Sequence, residues 1–107
     1  MNYTSVLMEK GYFDERPVLR IRDAALNLSA RTIRVEWREG SRAFRYEGVR
    51  TGQGHFMLRG DGHAGSATLH RFQYSNILEG FWQRKGKSGF WRVHLPQALP
   101  TKVTRLP

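Results

Sequence analysis

The chain has 107 residues, 39% of them hydrophobic, with 18 Lys and Arg against 9 Asp and Glu, which gives a formal net charge of +9. This length suits one domain with a modest core, and the absence of cysteine excludes disulfides and thiolate metal sites. The positive charge favours polyanionic partners such as nucleic acid, although the arginines are spread along the chain as solvent-facing strand residues would be. We expect a cytoplasmic protein without membrane insertion, because the N-terminus lacks a signal-peptide pattern and no apolar run is long enough to cross a bilayer.

The first thirty residues give the least regular pattern. Residues 1–16 are compatible with a short strand or with a single helical turn that ends near Gly11. Pro17 is expected to precede a strand over residues 18–22. The run that follows, up to Ser29, fits a bulged strand or a short helix, because short apolar runs do not distinguish the two.

From Thr32 onward, alternating apolar and polar residues predict successive antiparallel strands separated by turn-forming residues. The registers that keep the apolar residues on one face pair Tyr46 with Val35 and with Phe56, and Leu69 with Phe56 and with Trp82. The predicted fold is therefore all-β, an antiparallel meander of about seven or eight strands that forms a small barrel or half-open barrel, with one short N-terminal helix as an option. Residues 1–95 are predicted to form this single β domain. Residues 96–107, which contain all but one of the four prolines, are predicted to be an extended or disordered tail.

The hairpin formed by the last two strands is the most regular part of the pattern. A basic turn over residues 85–88 pairs Arg84 with Gly89 and places Trp82 opposite Trp91. Both indoles then point to the inside of the barrel, because side chains alternate between the two faces of a strand.

A ligand site is predicted from an inward row of small residues. Gly48, Gly54 and Gly80 fall beside Arg71, where they either leave a shallow pit around the guanidinium or only allow the sheet to coil tightly, and we favour the second interpretation. A pit with aromatic walls and one fixed cation suits a small anionic ligand. The residues of this candidate ligand site are Arg71, Trp82, Trp91, Tyr46 and Phe56.

A metal site is a weaker hypothesis for the outward face. The predicted registers place Glu47, His55 and His70 on neighbouring strands, and two imidazoles with one carboxylate are a ligand set for a divalent metal. An open sheet face lacks the shielding and outer hydrogen bonds that such sites use. We therefore expect solvated surface residues there, and we assign no metal and no cofactor.

Apolar residues also point outward, and exposed apolar patches mark interfaces. We expect the N-terminal segment with Tyr12 and Phe13, or a second copy of the chain, to cover this face, and we predict a homodimer through the outer sheet face. The outward apolar residues are Met57, Phe72, Tyr74, Phe81 and Phe90.

Nucleic-acid binding is the alternative use of the same face. Aromatic side chains interleaved with basic residues stack the bases of single strands in other β-sheet proteins. The residues of this alternative site are Arg34, Arg45, Arg92, Phe81 and Phe90.

A set of strand motifs over residues 31–95 resembles those of calycin-type barrels, the lipocalin and avidin-like groups. These motifs are Gly54-x-Phe56-x-Leu58, Leu78-Glu79-Gly80-x-Trp82 and Gly89-x-Trp91-x-Val93-x-Leu95. The resemblance implies a small barrel with a ligand cavity and transfers no ligand and no site residue. Lipocalins carry a Gly-x-Trp motif on the first strand, whereas Gly80-Phe81-Trp82 falls late in this chain. The short, cysteine-free chain also resembles small proteins carried on bacterial mobile gene cassettes.

The sequence contains none of the common catalytic motifs: no P-loop, no GxGxxG after a strand, no HExxH and no GxSxG. Catalysis is therefore disfavoured. We predict a homodimeric binding or interaction module for a small anionic ligand, with a nucleic-acid-binding module as the alternative. A metal-dependent enzyme at Glu47, His55 and His70 ranks third.

Overall fold

The computed structural model describes residues 1–61 and 65–96. Within them, eight antiparallel strands pair in sequential order and close into a barrel. The strands are β1 (Asn2–Tyr12), β2 (Leu19–Leu28), β3 (Thr32–Glu39), β4 (Arg42–Gly52), β5 (His55–Gly60), β6 (Ser66–His70), β7 (Ile77–Arg84) and β8 (Lys87–His94).

The predicted all-β barrel is confirmed, and it is closed because β1 pairs with β8. No residue of the two described ranges is helical, so the optional N-terminal helix is replaced by β1. None of these residues belongs to a helix that could span a membrane. The boundary between a 1–95 domain and a 96–107 tail stays a prediction, and the tail beyond Pro96 lies outside the described residues.

The core fills the interior of the barrel with side chains from all eight strands. Every second residue along a strand points inward, which is the period that the strand geometry imposes. The buried apolar residues are Val6, Met8, Ala24, Leu26, Ile33, Val35, Trp37, Tyr46, Phe56, Leu58, Ala67, Leu69, Leu78, Trp82, Trp91, Val93 and Leu95.

The register of the β7–β8 hairpin differs from the prediction by two residues. Trp82 lies opposite Gly89 and not opposite Trp91. The reason is the turn, which has two residues and not four: Lys85 and Gly86 have φ of 49° and 77°, the positive values that tight hairpin turns require. A shift of two residues keeps every side chain on its face, and both indoles are buried as predicted.

The register of β4 with β5 differs from the prediction by four residues. Tyr46 lies opposite Gly60 and not opposite Phe56, because the turn falls later, at residues 53–54, and follows a bulge before Gly52. The β3–β4 and β5–β6 registers are as predicted, whereas the β6–β7 register differs by two residues, because Trp82 lies opposite Ala67 and not opposite Leu69. The residues predicted to point inward therefore still do so, but several of them lie opposite a different cross-strand partner.

The inward glycines mark places where neighbouring backbones touch. A Cβ at Gly48 would lie 1.7 Å from the carbonyl oxygen of Met57, and one at Gly80 would lie 2.0 Å from that of Thr68. Gly54 occupies the β4–β5 turn with φ of 73°. The space beside Gly48 and Gly80 is thus filled by backbone of the next strand. Of the two interpretations of these glycines, this favours tight coiling of the sheet and not a pit.

The Gly80→Ala variant is expected to lose about 1–3 kcal/mol of unfolding free energy, the range for overpacking a filled interior. The added methyl group would displace the Thr68 carbonyl, which accepts a hydrogen bond from the Trp91 indole at 2.9 Å. Urea denaturation followed by tryptophan fluorescence measures the loss. Gly52→Ala is the matched control, because a Cβ there meets only the side chain of His55, with the nearest atom at the ordinary contact distance of 3.7 Å. Equal urea midpoints for the two variants would contradict the close approach at Gly80.

Candidate functional site

The interior cavity brings together three of the five residues of the candidate ligand site. Tyr46, Trp82 and Trp91 line a cavity of about 10 Å³. A cavity needs roughly 10–15 Å³ to hold one water molecule, so the aromatic side chains fill almost all of the space between them. The other lining residues are Lys10, Trp37, Phe44 and Arg84.

The other two residues of the candidate ligand site lie elsewhere. Arg71 lies in the β6–β7 connection, where its Nε donates a hydrogen bond to the carbonyl oxygen of Ser75 at 2.8 Å. Phe56 is buried in the core but does not line the cavity. The cations at the cavity are instead Lys10 from β1 and Arg84 from the end of β7.

Lys10 is the buried charge of this interior site. Its side chain is 7% exposed, and its Nζ donates to Oε2 of Glu39 at 2.8 Å. The indole Nε1 of Trp37 donates to the same carboxylate oxygen, also at 2.8 Å. Burial raises the pKa of Glu39, but the hydrogen bonds from Lys10 and Trp37 outweigh burial, and the pKa lies below its usual value.

Aromatic rings surround the ammonium group of Lys10. The ring centroids lie 4.8 Å (Trp82), 5.4 Å (Phe44), 5.7 Å (Tyr12) and 5.9 Å (Trp37) from its Nζ. Rings at these distances attract a cation, and the attraction grows as water is excluded. The cage already holds its own cation, so the interior is a stabilising unit of the barrel.

The outer face carries a row of side chains that crosses the sheet from β4 to β8 with one residue on each strand. Cross-strand pairing links Val49 with Met57, Met57 with Thr68, and Phe81 with Phe90. The backbone N–H of Phe81 donates to the hydroxyl of Thr68 at 3.3 Å, which joins the residues of β4 to β6 to those of β7 and β8. We call these five residues the Phe81 row. Val49, Met57 and Phe81 are 54%, 57% and 59% exposed.

Phe13 extends the Phe81 row and does not cover it. Its ring centroid lies 5.8 Å from that of Phe81 and 6.2 Å from that of Phe90, and the side chain stays 60% exposed. Tyr12, the other residue expected to cover this face, packs edge-on against the interior indole of Trp82. Of the remaining predicted outward residues, Phe72 and Tyr74 are exposed in the β6–β7 connection.

Two grooves flank the side chain of Phe81. One has a volume of about 350 Å³ and includes Phe72 and Phe90 in its lining. The other has a volume of about 270 Å³ and includes Phe13 and Met57. Phe81 lines both grooves and is therefore the ridge between them.

A second row runs beside the Phe81 row, two positions along each strand, and we call it the charged row. Its members pair across the strands in the order His55, His70, Glu79, Arg92 and Glu9. Arg92 lies 3.2 Å from Glu79 and 3.9 Å from Glu9, so acidic and basic groups compensate one another. The pKa of Glu9 lies below its usual value, because a hydrogen bond with the His94 imidazole favours its charged form.

The residues of the alternative nucleic-acid site are not gathered on one surface. Arg34 lies on β3 and Arg45 on β4, three or four strands around the closed barrel from Phe81 on β7 and from Phe90 and Arg92 on β8. Each of the three arginines has a glutamate carboxylate between 2.9 and 3.8 Å away. A nucleic-acid phosphate would have to compete with these ion pairs.

The structure separates Glu47 from the other two weak metal candidates, His55 and His70. Glu47 lies opposite Arg59, not opposite His55, because of the changed β4–β5 register. His55 and His70 remain directly opposite each other, with 2.6 Å between their Nδ1 atoms. The described residues contain no group of three or more His, Cys, Asp or Glu that is arranged to hold a metal ion.

Comparison of the chain with protein-family models, with curated proteins and with solved structures finds no match. The eight-stranded antiparallel barrel is consistent with the calycin-like architecture that the strand motifs resemble. The described residues thus define the class of the protein as a small closed β-barrel with a filled interior.

Proposed function

We propose that the protein is a small β-barrel interaction module that forms a homodimer through the Phe81 row. The observation that carries this proposal is the alignment of Val49, Met57 and Phe81, each more than half exposed, in one register row of the outer face. Large apolar side chains that share one exposed patch are typical of an interface, whereas scattered ones are ordinary.

A function on the outer face is favoured over a ligand in the lumen. A relationship to calycin-type barrels is part of this proposal, and such a relationship would suggest a ligand cavity inside the barrel. The interior cavity of about 10 Å³ leaves room for about one water molecule, whereas drug-sized ligands occupy sites of roughly 300–1,000 Å³. A ligand larger than about one water molecule would therefore require movement of the aromatic side chains.

A second copy of the chain is the occupant that the outer face fits best. A two-fold interface brings the same patch of both subunits together, so it needs a surface with matching ridges and grooves. The ridge of Phe81 lies between grooves of about 350 and 270 Å³, and each copy can place its ridge in a groove of the other. The Phe81 row is uncharged and the charged row beside it is compensated, so the net charge of +9 is not concentrated here.

The Phe81→Glu variant tests this proposal, because it places an unpaired carboxylate at the centre of the proposed interface. We expect the natural chain to sediment as a dimer and the variant to raise the dimer dissociation constant at least about thirtyfold, equivalent to a hot-spot loss of about 2 kcal/mol. Analytical ultracentrifugation over a concentration series measures both constants.

Ala43→Glu is the matched control for the dimer measurement, because Ala43 is exposed opposite Arg38 on β3 and lies six positions along β4 from Val49 of the Phe81 row. It should leave the dissociation constant unchanged. A natural chain that stays monomeric at the highest accessible concentration would overturn the proposal, and so would a Phe81→Glu variant that dimerises as the natural chain does.

A further inference from the structure

We propose that His55 and His70 form a binding site for a divalent transition-metal ion such as Zn²⁺, Ni²⁺ or Cu²⁺ on the outer face of the barrel. The two residues face each other directly across β5 and β6. Their Nδ1 atoms are 2.6 Å apart and their rings meet at 81°. Without a metal, one Nδ1 carries the proton and the other accepts it, so both ring nitrogens already point at one shared position.

The space around the pair allows a metal ion to enter. His55 is exposed and His70 is half-buried, so the shared position is open to solvent. Two ring nitrogens at about 2.0–2.1 Å from a tetrahedral ion lie roughly 3.3 Å apart, so the rings must separate slightly. The residue opposite His55 on β4 is Gly52, which has no side chain to oppose that movement.

The donor set selects the class of metal. Imidazole nitrogen suits Zn²⁺, Cu²⁺ and Ni²⁺, whereas Mg²⁺ and Ca²⁺ prefer oxygen. Glu79 lies opposite His70 on β7, but its carboxylate accepts a hydrogen bond from Nε of Arg92 at 3.2 Å. The site therefore has two protein ligands, with water in the remaining positions. Such a site exchanges its metal and does not hold the fold together, which distinguishes it from structural zinc sites with four protein ligands.

The histidine pair borders the proposed dimer interface but does not depend on it. His55 and His70 lie two positions along their strands from Met57 and Thr68 of the Phe81 row. Both ligands come from one chain, so a monomer has the complete site. The Phe81→Glu variant should bind the metal as tightly as the natural chain does, which separates this inference from the proposed dimer.

Calorimetric titration of the untagged chain with NiCl₂ and with ZnCl₂ tests the site. We expect one ion per chain, with the affinity lowered at least about tenfold in His55→Gln and in His70→Gln, since even the loss of an outer hydrogen-bond partner lowers metal affinity by about 10- to 100-fold. MgCl₂ should give no binding heat.

His94→Gln is the matched control. It removes an imidazole that already bonds to the Glu9 carboxylate at 2.8 Å, and it should leave the affinity unchanged. Thermal unfolding of each variant without metal checks that the fold is intact. Absence of binding to the natural chain would overturn the inference, and so would a loss in His94→Gln equal to that in His55→Gln.

Discussion

Replacing Lys10 with Ala is expected to lower the free energy of unfolding by about 3 kcal/mol. The change leaves the carboxylate of Glu39 without its cation, and loss of one partner from a buried ion pair costs about 3–5 kcal/mol. The lower end applies because the Glu39 side chain keeps 25% of its surface in solvent while that of Lys10 keeps only 7%. The variant also leaves a space among the rings of the aromatic cage.

Urea denaturation separates the buried charge from a general effect of lost lysine. Lys87→Ala, at an exposed position, is the control and should change the unfolding free energy by less than about 0.5 kcal/mol. The double variant Lys10→Met with Glu39→Gln should recover most of the loss, because no uncompensated charge remains and the amide oxygen can still accept from the Trp37 indole. If Lys10→Ala and Lys87→Ala unfold alike, the ion pair does not stabilise the barrel.

The same ion pair determines how the free energy of unfolding changes at acidic pH. The pKa of Glu39 is lowered in the folded protein by Lys10 and Trp37 against the opposing effect of burial. The resulting stability is therefore present above the ordinary carboxyl pKa of about 4.3 and is lost as the pH falls through the lower folded value. The double variant should show a shallower loss of stability below that pH than the natural chain does.

The inward face of the barrel was predictable because the register errors were even numbers. The β6–β7 and β7–β8 registers each differ by two residues and the β4–β5 register by four, and even shifts leave every side chain on its own face. Trp82 and Trp91 are consequently both buried as predicted, although they are not opposite each other. Hydrophobic alternation fixes which face a residue occupies but not which residue it meets.

Site constellations were less predictable, because they depend on the exact cross-strand neighbours. Glu47 was expected beside His55, and the late β4–β5 turn places it opposite Arg59. The two histidines stayed together because the β5–β6 register was correct. The position of the turn decides where Glu47 falls, and the two residues of the β4–β5 turn, Gln53 and Gly54, lack the Asn-Gly or Asp-Gly signal that would reveal it.

Lys10 is not among the residues predicted to lie inside the barrel, although the alternation of inward and outward residues along β1 indicates it. Val6 and Met8 point inward, and the same alternation places Lys10 on the inner face. Two register irregularities in β1, on either side of Val6, obscure the period over residues 1–16. A buried lysine also contradicts the rule that charges face water, and only the approach of Glu39 from β3 makes it possible.

The Trp91→Ala variant is expected to lose about 3–5 kcal/mol of unfolding free energy, the range for truncating a buried Trp or Phe. Trp91 is 1% exposed, and its ring centroid lies 5.8 Å from that of Trp37 and 5.6 Å from that of Tyr46. These contacts join β8 to β3 and β4, which lie three and four strands away by the shorter path around the barrel. The indole therefore ties opposite walls together, and its loss removes contacts that no neighbouring strand can replace.

Urea denaturation followed by far-ultraviolet circular dichroism measures this loss without relying on the deleted fluorophore. Tyr74→Ala is the control, because that side chain is 93% exposed and lines neither groove beside Phe81, and it should change stability by less than about 0.5 kcal/mol. Trp91→Phe keeps an aromatic ring in the lumen but lacks the N–H that bonds to the Thr68 carbonyl, so it should lose less than Trp91→Ala and still fold. Since a domain of this size has a total stability of about 5–15 kcal/mol, a Trp91→Ala variant as stable as Tyr74→Ala would mean that the barrel does not close around this indole.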